Sequence, residues 1–434
     1  DREAVVVGSV EHDSWKTGIT IGKGNIYNVG SLVCYGGIAD KTTRDSKPHG
    51  ALKGTKIKSP KILVGFFEDW RGGMEEYAQA NAVIAPPKAW GKAVPFGWNS
   101  WGALQFNLTY PKALEVSDFY KENLQSRHFV NSDNLVYTGL DSGWNSFSEE
   151  ELKAFVDKCK ANGQVAGVYW TPFTDWVKNP EREIKEMPGY NYKDVYLYAN
   201  GKPQELDGAY AVDPTHPAIE AMMKHTSELF HRAGFEYVKM DFMTHGAMEA
   251  DKWYNPEIQT GIQGYNYGMQ LLDKYFGDMY INLSISPDHI VLRDATDGEN
   301  RARVTSGVIT GIFIAGDDFS KGGSKEVKEK AMKYLTNAEI NAIANGESFH
   351  PVDGNGEKSE NQFVRMDKDG KAYYAVFNYM DQELKMTTAL ERLGLDSSKE
   401  YKLKELWSGI ESTAKTNLEV TVPACDVAIF KMEE

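Results

Sequence analysis

The chain has 434 residues, with 41% hydrophobic and 25% charged side chains and a net charge of −14 at pH 7. A chain of this length exceeds one ordinary hydrophobic core and predicts two or three domains. The acidic balance argues against nucleic acid or an anionic membrane surface as a partner. No apolar run in the sequence approaches the length of a membrane span.

The three cysteines, Cys34, Cys159 and Cys425, lie far apart in the sequence. Their number and spacing fit neither a disulfide framework nor a cysteine metal site. No phosphate-binding loop, GxSxG motif or His/Cys cluster is found, so the sequence predicts no metal and no cofactor. The chain opens at Asp1 without a signal-peptide pattern, which indicates a processed or trimmed product. The compartment stays open, with a secreted or periplasmic location favoured over a cytoplasmic one.

Residues 1–94 are predicted to be rich in β-structure. The alternating pattern over Trp15–Ile21 and the run KILVGFF at 61–67 are typical of strands, the second of a buried strand. A helix is predicted over 72–83 and ends before Pro86. So few strands do not complete a sandwich, and this segment is therefore either small or has lost its beginning.

Between residues 95 and 345 predicted strands and helices alternate. A capping box at Ser148–Glu151, Pro217 in a first helical turn and Ser324 each mark the start of a helix. Repeated strand–helix units over about 250 residues are what a (β/α)8 barrel requires. A doubly wound sheet is the alternative, but no Gly-rich phosphate loop follows the first strand. The predicted strands lie in VYTGLDSGW (136–144), QVAGVYWTPF (164–173), YVKMDF (237–242), MYINLSIS (279–286) and GIFIAGDDF (311–319).

After Gly346 the helical pattern stops, and short apolar runs alternate with turn residues, which predicts an antiparallel β domain. The fold class predicted for the whole chain is α/β, a (β/α)8 TIM barrel over 95–345 with an N-terminal β-rich segment over 1–94 and a C-terminal antiparallel β-sandwich over 346–434. The predicted strands of the last domain are 372–378, 401–407, 418–422 and 426–432.

The predicted strand YVKMDF carries two charges on one face. Side chains alternate across a strand, so Tyr237, Lys239 and Asp241 point to the same side. Opposite charges in a packed space are costly to desolvate unless they pair with each other or serve a site. From the residues alone, a structural Lys239–Asp241 ion pair and a functional site are equally well supported.

Active sites of such barrels lie at the carboxyl ends of the strands. The polar and aromatic side chains there suit cleavage of a glycosidic bond by two carboxyl groups. Each also has a structural alternative: the tryptophans could be core, Asp141 could cap its loop, and residues 294–301 could form a solvated charged loop. These candidates are Trp98, Trp101, Asp141, Tyr169, Trp170, Lys239, Asp241, Arg293, Asp294 and Asp297.

Motifs along the chain resemble successive motifs of the melibiase clan, the retaining α-galactosidases of glycoside hydrolase families twenty-seven and thirty-six. The resemblance covers about residues 95–345, and the predicted C-terminal β domain fits the clan as well. Because the motifs occur in the right order, together they are far more specific than any one alone. They are PFGWNSWG (95–102), LDSGW (140–144), GVYWTPF (167–173), AVDPTHP (211–217), YVKMDF (237–242) and IAGDDF (314–319).

The resemblance implies catalytic roles for two aspartates. The Asp of the family's K-x-D motif is the nucleophile, which corresponds to Asp241, and the Lys, here Lys239, binds a sugar hydroxyl. The neighbouring ammonium would keep the attacking carboxylate ionised. The family also carries an Arg followed four residues later by the acid/base Asp, which corresponds to Arg293 and Asp297. The surrounding sequence departs from the family's tryptophan-bearing context, so Asp294 remains the alternative.

The resemblance also implies substrate-binding side chains. Trp101 resembles the platform under the sugar, Tyr169 a wall residue, and Asp141 the first of two consecutive aspartates that hold hydroxyls at the C4/C6 end of galactose. This chain has Ser142 in place of the second aspartate, which weakens the case for strict galactose selection. The small residues of the loop at 284–287 leave an N-acetylgalactosamine substrate open.

The sequence therefore predicts a retaining exo-glycosidase that acts on α-galactosides of an oligosaccharide or glycoconjugate. The alternatives within the same chemistry are α-N-acetylgalactosaminidase, β-L-arabinopyranosidase and an α-glucan-cleaving enzyme. An alternative from a different class is a carbohydrate-binding protein on a barrel that has lost its activity. The linkage, the aglycone and the oligomeric state are left open.

Overall fold

The computed structural model describes residues 2–25, 28–89, 91–283, 289–311, 313–354 and 359–434. The chain divides into two compact units. The first contains Asp1–Trp90, Trp170–Arg232 and Met240–Leu283, and the second contains Gly91–Tyr169, Ala233–Lys239 and Ser284–Glu434. The domain boundaries predicted at residues 94/95 and 345/346 stay predictions.

Strands and helices of the described residues are numbered along the chain. The strands are β1 (Ala4–Ser9), β2 (Thr17–Gly22), β3 (Ser31–Gly36), β4 (Ile62–Phe67), β5 (Phe96–Asn99), β6 (Val136–Leu140), β7 (Gln164–Trp170), β8 (Thr174–Asp175), β9 (Tyr198–Ala199), β10 (Lys202–Pro203), β11 (Glu205–Leu206), β12 (Ala209–Ala211), β13 (Tyr237–Met240), β14 (Tyr280–Leu283), β15 (Phe313–Ala315), β16 (His350–Pro351), β17 (Gln362–Met366), β18 (Ala372–Asn378), β19 (Leu384–Ala389), β20 (Glu400–Glu405), β21 (Glu411–Lys415), β22 (Asn417–Val422) and β23 (Asp426–Glu433). The helices are α1 (Trp70–Ile84), α2 (Tyr110–Phe119), α3 (Glu149–Ala161), α4 (Tyr192–Val195), α5 (Pro217–Ala233), α6 (Gly261–Phe276), α7 (Asp297–Thr310), α8 (Lys325–Tyr334) and α9 (Ala338–Asn341).

The N-terminal segment consists of antiparallel strand pairs followed by a helix. β1 pairs with β4, and β2 pairs with β3. The helix predicted over 72–83 is confirmed as α1. Asp69 caps its N-terminus, and the Asp69 carboxylate accepts a hydrogen bond from the Arg71 N–H. The strand predicted over 61–67 is confirmed as β4, but its expected burial was wrong. Val64 and Phe66 are exposed because a strand pair leaves one face open to water.

Strands of the second unit form a parallel sheet in the order β13-β7-β6-β5-β15. In its register Gly97 pairs with Tyr137, and an additional parallel bridge joins Ile290 to Ala315. Every residue of β5 and β6 is buried, as expected for parallel strands that are covered on both faces. Carboxyl ends of parallel strands meet at one edge, so the residues that follow these strands are brought close together.

The helix starts predicted from local sequence are confirmed. Ser148 and Glu151 form both bonds of the predicted capping box at the start of α3, and the Ser324 hydroxyl accepts the Val327 N–H at the start of α8. Pro217 is the first residue of α5. At these positions a short polar side chain or proline fixes the first turn without any tertiary contact.

The excursion between β7 and α5 is absent from the sequence predictions. It lies in the first unit and carries β8 to β12 and α4, with β8 paired to β12 and β12 paired to β11. These strands have two or three residues each, too few to show any periodicity in the sequence. The excursion begins at the carboxyl end of β7, the end at which barrel enzymes place their active sites.

The C-terminal part of the second unit is an antiparallel sheet in the order β16-β17-β18-β23-β20-β21-β22-β19. It contains the strands predicted over 372–378, 401–407, 418–422 and 426–432, as β18, β20, β22 and β23. Its core includes Tyr374, Leu403, Val420 and Met432. The sheet contacts α7, where Arg301 Nε donates to Asp426 Oδ1 at 3.0 Å and Trp407 Nε1 donates to Thr305 Oγ1 at 2.9 Å.

Within the described ranges, no helix is both long and apolar enough to cross a membrane. The same residues contain no group of three or more His, Cys, Asp or Glu side chains placed to hold a metal ion.

Candidate active site

A buried ion pair lies at the carboxyl ends of the parallel strands in the second unit. Asp141 follows β6 directly, is 2% exposed, and accepts from Lys239 Nζ of β13 at 3.1 Å on Oδ2. Asn99 Nδ2, at the end of β5, donates to the same oxygen at 2.7 Å, and the Ser142 N–H donates to Oδ1 at 2.8 Å. The Asp141 N–H in turn donates to Ser100 Oγ at 2.9 Å. These contacts fix the carboxylate in one orientation.

This ion pair gives Lys239 of YVKMDF a buried carboxylate partner at the end of a different strand. Lys239 is 5% exposed and pairs with Asp141, a residue 98 positions away in the chain. Its ammonium also lies 5.4 Å from the ring centroid of Tyr169, a cation–π contact. The predicted substrate-binding residues Asp141, Tyr169 and Lys239 are therefore brought together. Buried charged groups with charge-assisted bonds are suited to bind sugar hydroxyls strongly.

Arg293 is held by another set of contacts in the second unit. Its NH1 donates to Asp317 Oδ1 at 2.8 Å, and its NH2 donates to the Gly102 carbonyl at 2.5 Å. Asp317 is buried, and its Oδ2 also accepts the Leu292 N–H at 2.5 Å, while its carbonyl accepts Trp98 Nε1 at 2.8 Å. Arg293 therefore anchors its loop to the segments that follow β5 and β15. Asp317 is not among the predicted site residues, although it lies in the IAGDDF motif.

Trp101 lies two residues after the end of β5. Its backbone N–H donates to Asn99 Oδ1 at 2.8 Å, which ties its position to the amide that also holds Asp141. Its ring contacts the exposed ring of Phe106 edge-to-face, with centroids 5.4 Å apart. Trp101 remains partly exposed, as a platform for a sugar ring would be.

Asp241 follows β13 directly and belongs to the first unit. Its N–H donates to the Trp170 carbonyl at 3.0 Å, at the end of β7. Its Oδ1 accepts the N–H of the next residue, Phe242, at 2.8 Å. Phe242 has a φ of 54°, a left-handed conformation that is rare for a bulky side chain and costs about 1–3 kcal/mol. The Phe242 carbonyl accepts His245 Nδ1 at 2.9 Å, which helps to hold this strained turn behind Asp241.

Asp297, predicted as the acid/base, is the first residue of α7. Its side chain is 59% exposed and accepts from Lys333 Nζ of α8 at 2.7 Å. The Lys333 ammonium holds the pKa of the Asp297 carboxyl below its ordinary value, whereas a general acid needs a raised pKa. Asp294 is exposed, has a φ of 53° and follows the anchored Arg293. The loop at 284–287, considered for the 2-acetamido group, lies outside the described residues.

A family model covers part of the C-terminal sandwich. Residues 363–432 match the model described as the α-galactosidase C-terminal β-sandwich domain. No curated protein sequence is significantly similar to the chain.

Solved structures of glycosidases share the fold at low sequence identity. A family 27 β-L-arabinopyranosidase from Geobacillus stearothermophilus is 14% identical, with a TM-score of 0.60 over 80% of this chain and 97% of that one. A Bacillus halodurans protein for which α-N-acetylgalactosaminidase activity is suggested is 15% identical, with a TM-score of 0.56 over 78% and 97% of the two chains. The isomalto-dextranase of Arthrobacter globiformis T6 is 13% identical, with a TM-score of 0.55 over 78% and 72%.

The fold and the C-terminal domain together confirm the predicted resemblance to the melibiase clan. They also confirm the predicted fold class, a TIM barrel followed by an antiparallel β-sandwich. These findings show a fold that solved glycoside hydrolases share.

Proposed function

We propose that the protein is a retaining exo-glycosidase with terminal α-galactosides as its substrates. The observation that carries the proposal is the buried Asp141–Lys239 pair, whose charged atoms are 3.1 Å apart. Lys239 lies two residues before Asp241 in the chain. A buried carboxylate and ammonium, both at strand ends of the sheet, offer an acceptor and a donor to neighbouring hydroxyls of one sugar ring. Asp141, Lys239 and Asn99 are assigned to binding this ring.

Asp241 is assigned as the nucleophile. In the first step its carboxylate attacks the anomeric carbon, the bond to the leaving oxygen breaks, and that oxygen takes the proton of the acid/base residue. In the second step the same residue removes a proton from water, which attacks the anomeric carbon and releases Asp241. Two inversions at one carbon retain its configuration. The Phe242 N–H donates to Oδ1 at 2.8 Å, which helps to orient the attacking carboxylate.

For the acid/base residue, the contacts favour Asp294 over Asp297. Asp297 is bonded to a lysine that stabilises its ionised form, which is the wrong form for a proton donor. Asp294 follows Arg293, whose two bonds to Asp317 and Gly102 hold the loop next to the segment that carries Trp101. We therefore assign the proton transfer to Asp294, the alternative left open by the sequence.

A β-L-arabinopyranoside is the second candidate substrate, and Ser142 is the observation that favours it. This sugar matches α-galactose in its ring hydroxyls but has no hydroxymethyl group. The clan's second aspartate, which would help to hold the C4/C6 end, is Ser142 in this chain. A solved structure with the same fold is named as a β-L-arabinopyranosidase.

The test is a panel of nitrophenyl α-galactoside, α-N-acetylgalactosaminide, β-L-arabinopyranoside and α-glucoside. We expect hydrolysis of the α-galactoside or of the β-L-arabinopyranoside. Asp241→Asn should lower kcat by at least about a thousandfold because the covalent nucleophile is lost. Asp157→Asn, in an exposed pair with Lys153 on α3, is the matched control and should keep wild-type activity. A wild-type protein that binds these sugars but hydrolyses none of them would establish the carbohydrate-binding alternative. Undiminished activity of Asp241→Asn would remove the proposed nucleophile.

A further inference from the structure

Trp176 is a large aromatic residue left 44% exposed in the excursion that follows β7. Its ring contacts the ring of Phe242 at 4.7 Å between centroids, with the planes at 82°. Phe242 is the residue directly after Asp241 and donates its N–H to the Asp241 carboxylate. A half-exposed tryptophan therefore touches the strained turn that holds the proposed nucleophile.

The Trp176 side chain is held in place from its polar end. Nε1 donates to Thr171 Oγ1 at 3.1 Å, and this oxygen also accepts a hydrogen bond from the Thr174 hydroxyl at 2.8 Å. With the indole N–H bonded and the ring packed on Phe242, little side-chain freedom remains to be lost when a ligand binds. An apolar surface that is already ordered binds a ligand at a smaller entropic cost.

The backbone on both sides of Trp176 is braced by a buried carboxylate. Asp175, the preceding residue, is 2% exposed and accepts from Arg182 NH2 and from the Tyr196 hydroxyl, each at 2.6 Å. Its Oδ1 also accepts the Val177 N–H at 3.1 Å. Functional side chains are typically held in place by supporting hydrogen bonds of this kind. These hydrogen bonds therefore fix the backbone that carries Trp176.

We propose that Trp176 is a stacking platform for the sugar unit on the leaving-group side of the scissile bond. The inference rests on the proposed function, in which Asp241 attacks the anomeric carbon of the terminal sugar. That terminal ring is assigned to charged and amide groups, Asp141, Lys239 and Asn99, which select hydroxyls by hydrogen bonding. An indole ring instead offers an apolar surface to the C–H face of a sugar, with little demand on hydroxyl orientation. Trp176 therefore sets a preference for saccharide over small leaving groups.

The test compares two substrates of the same terminal sugar: a disaccharide, which has a leaving sugar to stack, and the glycosyl fluoride, which has none. Trp176→Ala should lower the ratio of kcat/KM for disaccharide over fluoride by about tenfold, the effect of losing one well-packed aromatic contact. Trp176→Phe should restore most of that ratio because a stacking ring remains. Tyr379→Ala is the matched control, since Tyr379 is 57% exposed and lies beside β18 in the C-terminal sandwich; it should leave the ratio unchanged.

An equal loss on both substrates, or an unchanged ratio in Trp176→Ala, overturns the platform. A structural role for Trp176 would lower both activities together with the thermal midpoint. If the wild-type protein hydrolyses no substrate, the proposed function fails, and the platform is then decided by binding. In that case Trp176→Ala should weaken the Kd for the disaccharide about tenfold relative to its methyl monosaccharide glycoside, measured by calorimetry. Equal Kd changes for both ligands again overturn it.

Discussion

Replacing Lys239 by Met should destabilise the protein because the buried carboxylate of Asp141 loses its bond to the Lys239 ammonium. Lys239 and Asp141 are 5% and 2% exposed and 3.1 Å apart. Coulomb's law with an effective dielectric constant of about 20 gives about 5 kcal/mol for this pair, and removing one partner of a buried pair typically costs about 3–5 kcal/mol. Asp141 keeps its bonds from Asn99 and Ser142. We therefore expect the lower end, about 3 kcal/mol for Lys239→Met.

A double-mutant cycle separates the ion pair from the loss of packing. In Lys239→Met/Asp141→Asn neither buried charge is left alone, so the double variant should be more stable than Lys239→Met by about 2 kcal/mol. Urea unfolding followed by circular dichroism gives the midpoints, which are compared at a common slope. If the losses of the single variants simply add in the double variant, the pair is not coupled and the description of the site is wrong.

The remaining predictions concern the acid/base, a helix cap and a thiol. Asp294→Ala should slow hydrolysis of substrates with poor leaving groups by about a hundredfold or more and leave hydrolysis of activated aryl glycosides unchanged, since only the former need a proton. If Asp297→Ala shows this pattern and Asp294→Ala does not, the proton donor is Asp297. Ser148→Ala should cost about 1 kcal/mol of unfolding free energy, measured by urea unfolding, because the first turn of α3 loses its capping bond; an unchanged midpoint would contradict this. Burial raises the pKa of the Cys159 thiol to about 12, so in native protein at pH 8 this thiol should resist a disulfide reagent that reacts with the other two cysteines, and fast modification of Cys159 would show that α3 opens.

Elements whose signal is local could be predicted from the sequence. The capping box at Ser148, Pro217 at the start of α5 and the long apolar strands of the parallel sheet need no knowledge of tertiary contacts. The short strands of the excursion after β7 depend on pairing with each other. They carry no periodic pattern, and so neither they nor Trp176 could be placed in advance.

The candidate site shows the same division. YVKMDF indicated that the charges at 239 and 241 either form an ion pair or serve a site. Asp141, a partner of Lys239, lies 98 residues earlier in the chain, and the alternation of side chains along one strand gives no information about such a contact. For Asp297 a local signal was overlooked. Thr296 and Glu299 form a capping box, and T-x-x-E could have been read from the sequence as a helix start, which places Asp297 in the first turn of α7. The spacing from Arg293 carried no information about this helix start, and the choice between Asp297 and Asp294 stays a prediction.

The central claim is that Asp241 forms a covalent bond with the sugar. A 5-fluoro glycosyl fluoride of the sugar that the panel identifies tests it directly, because the ring fluorine slows both chemical steps while the fluoride leaving group favours the first, so that the intermediate accumulates. After brief incubation and peptic digestion, mass spectrometry should find one added fluorosugar on the peptide that contains YVKMDF, with fragmentation assigning it to Asp241. The label should be absent from Asp241→Asn. A fluorosugar on another carboxylate, or turnover of the reagent without any labelled peptide and with an inverted product, would contradict the account.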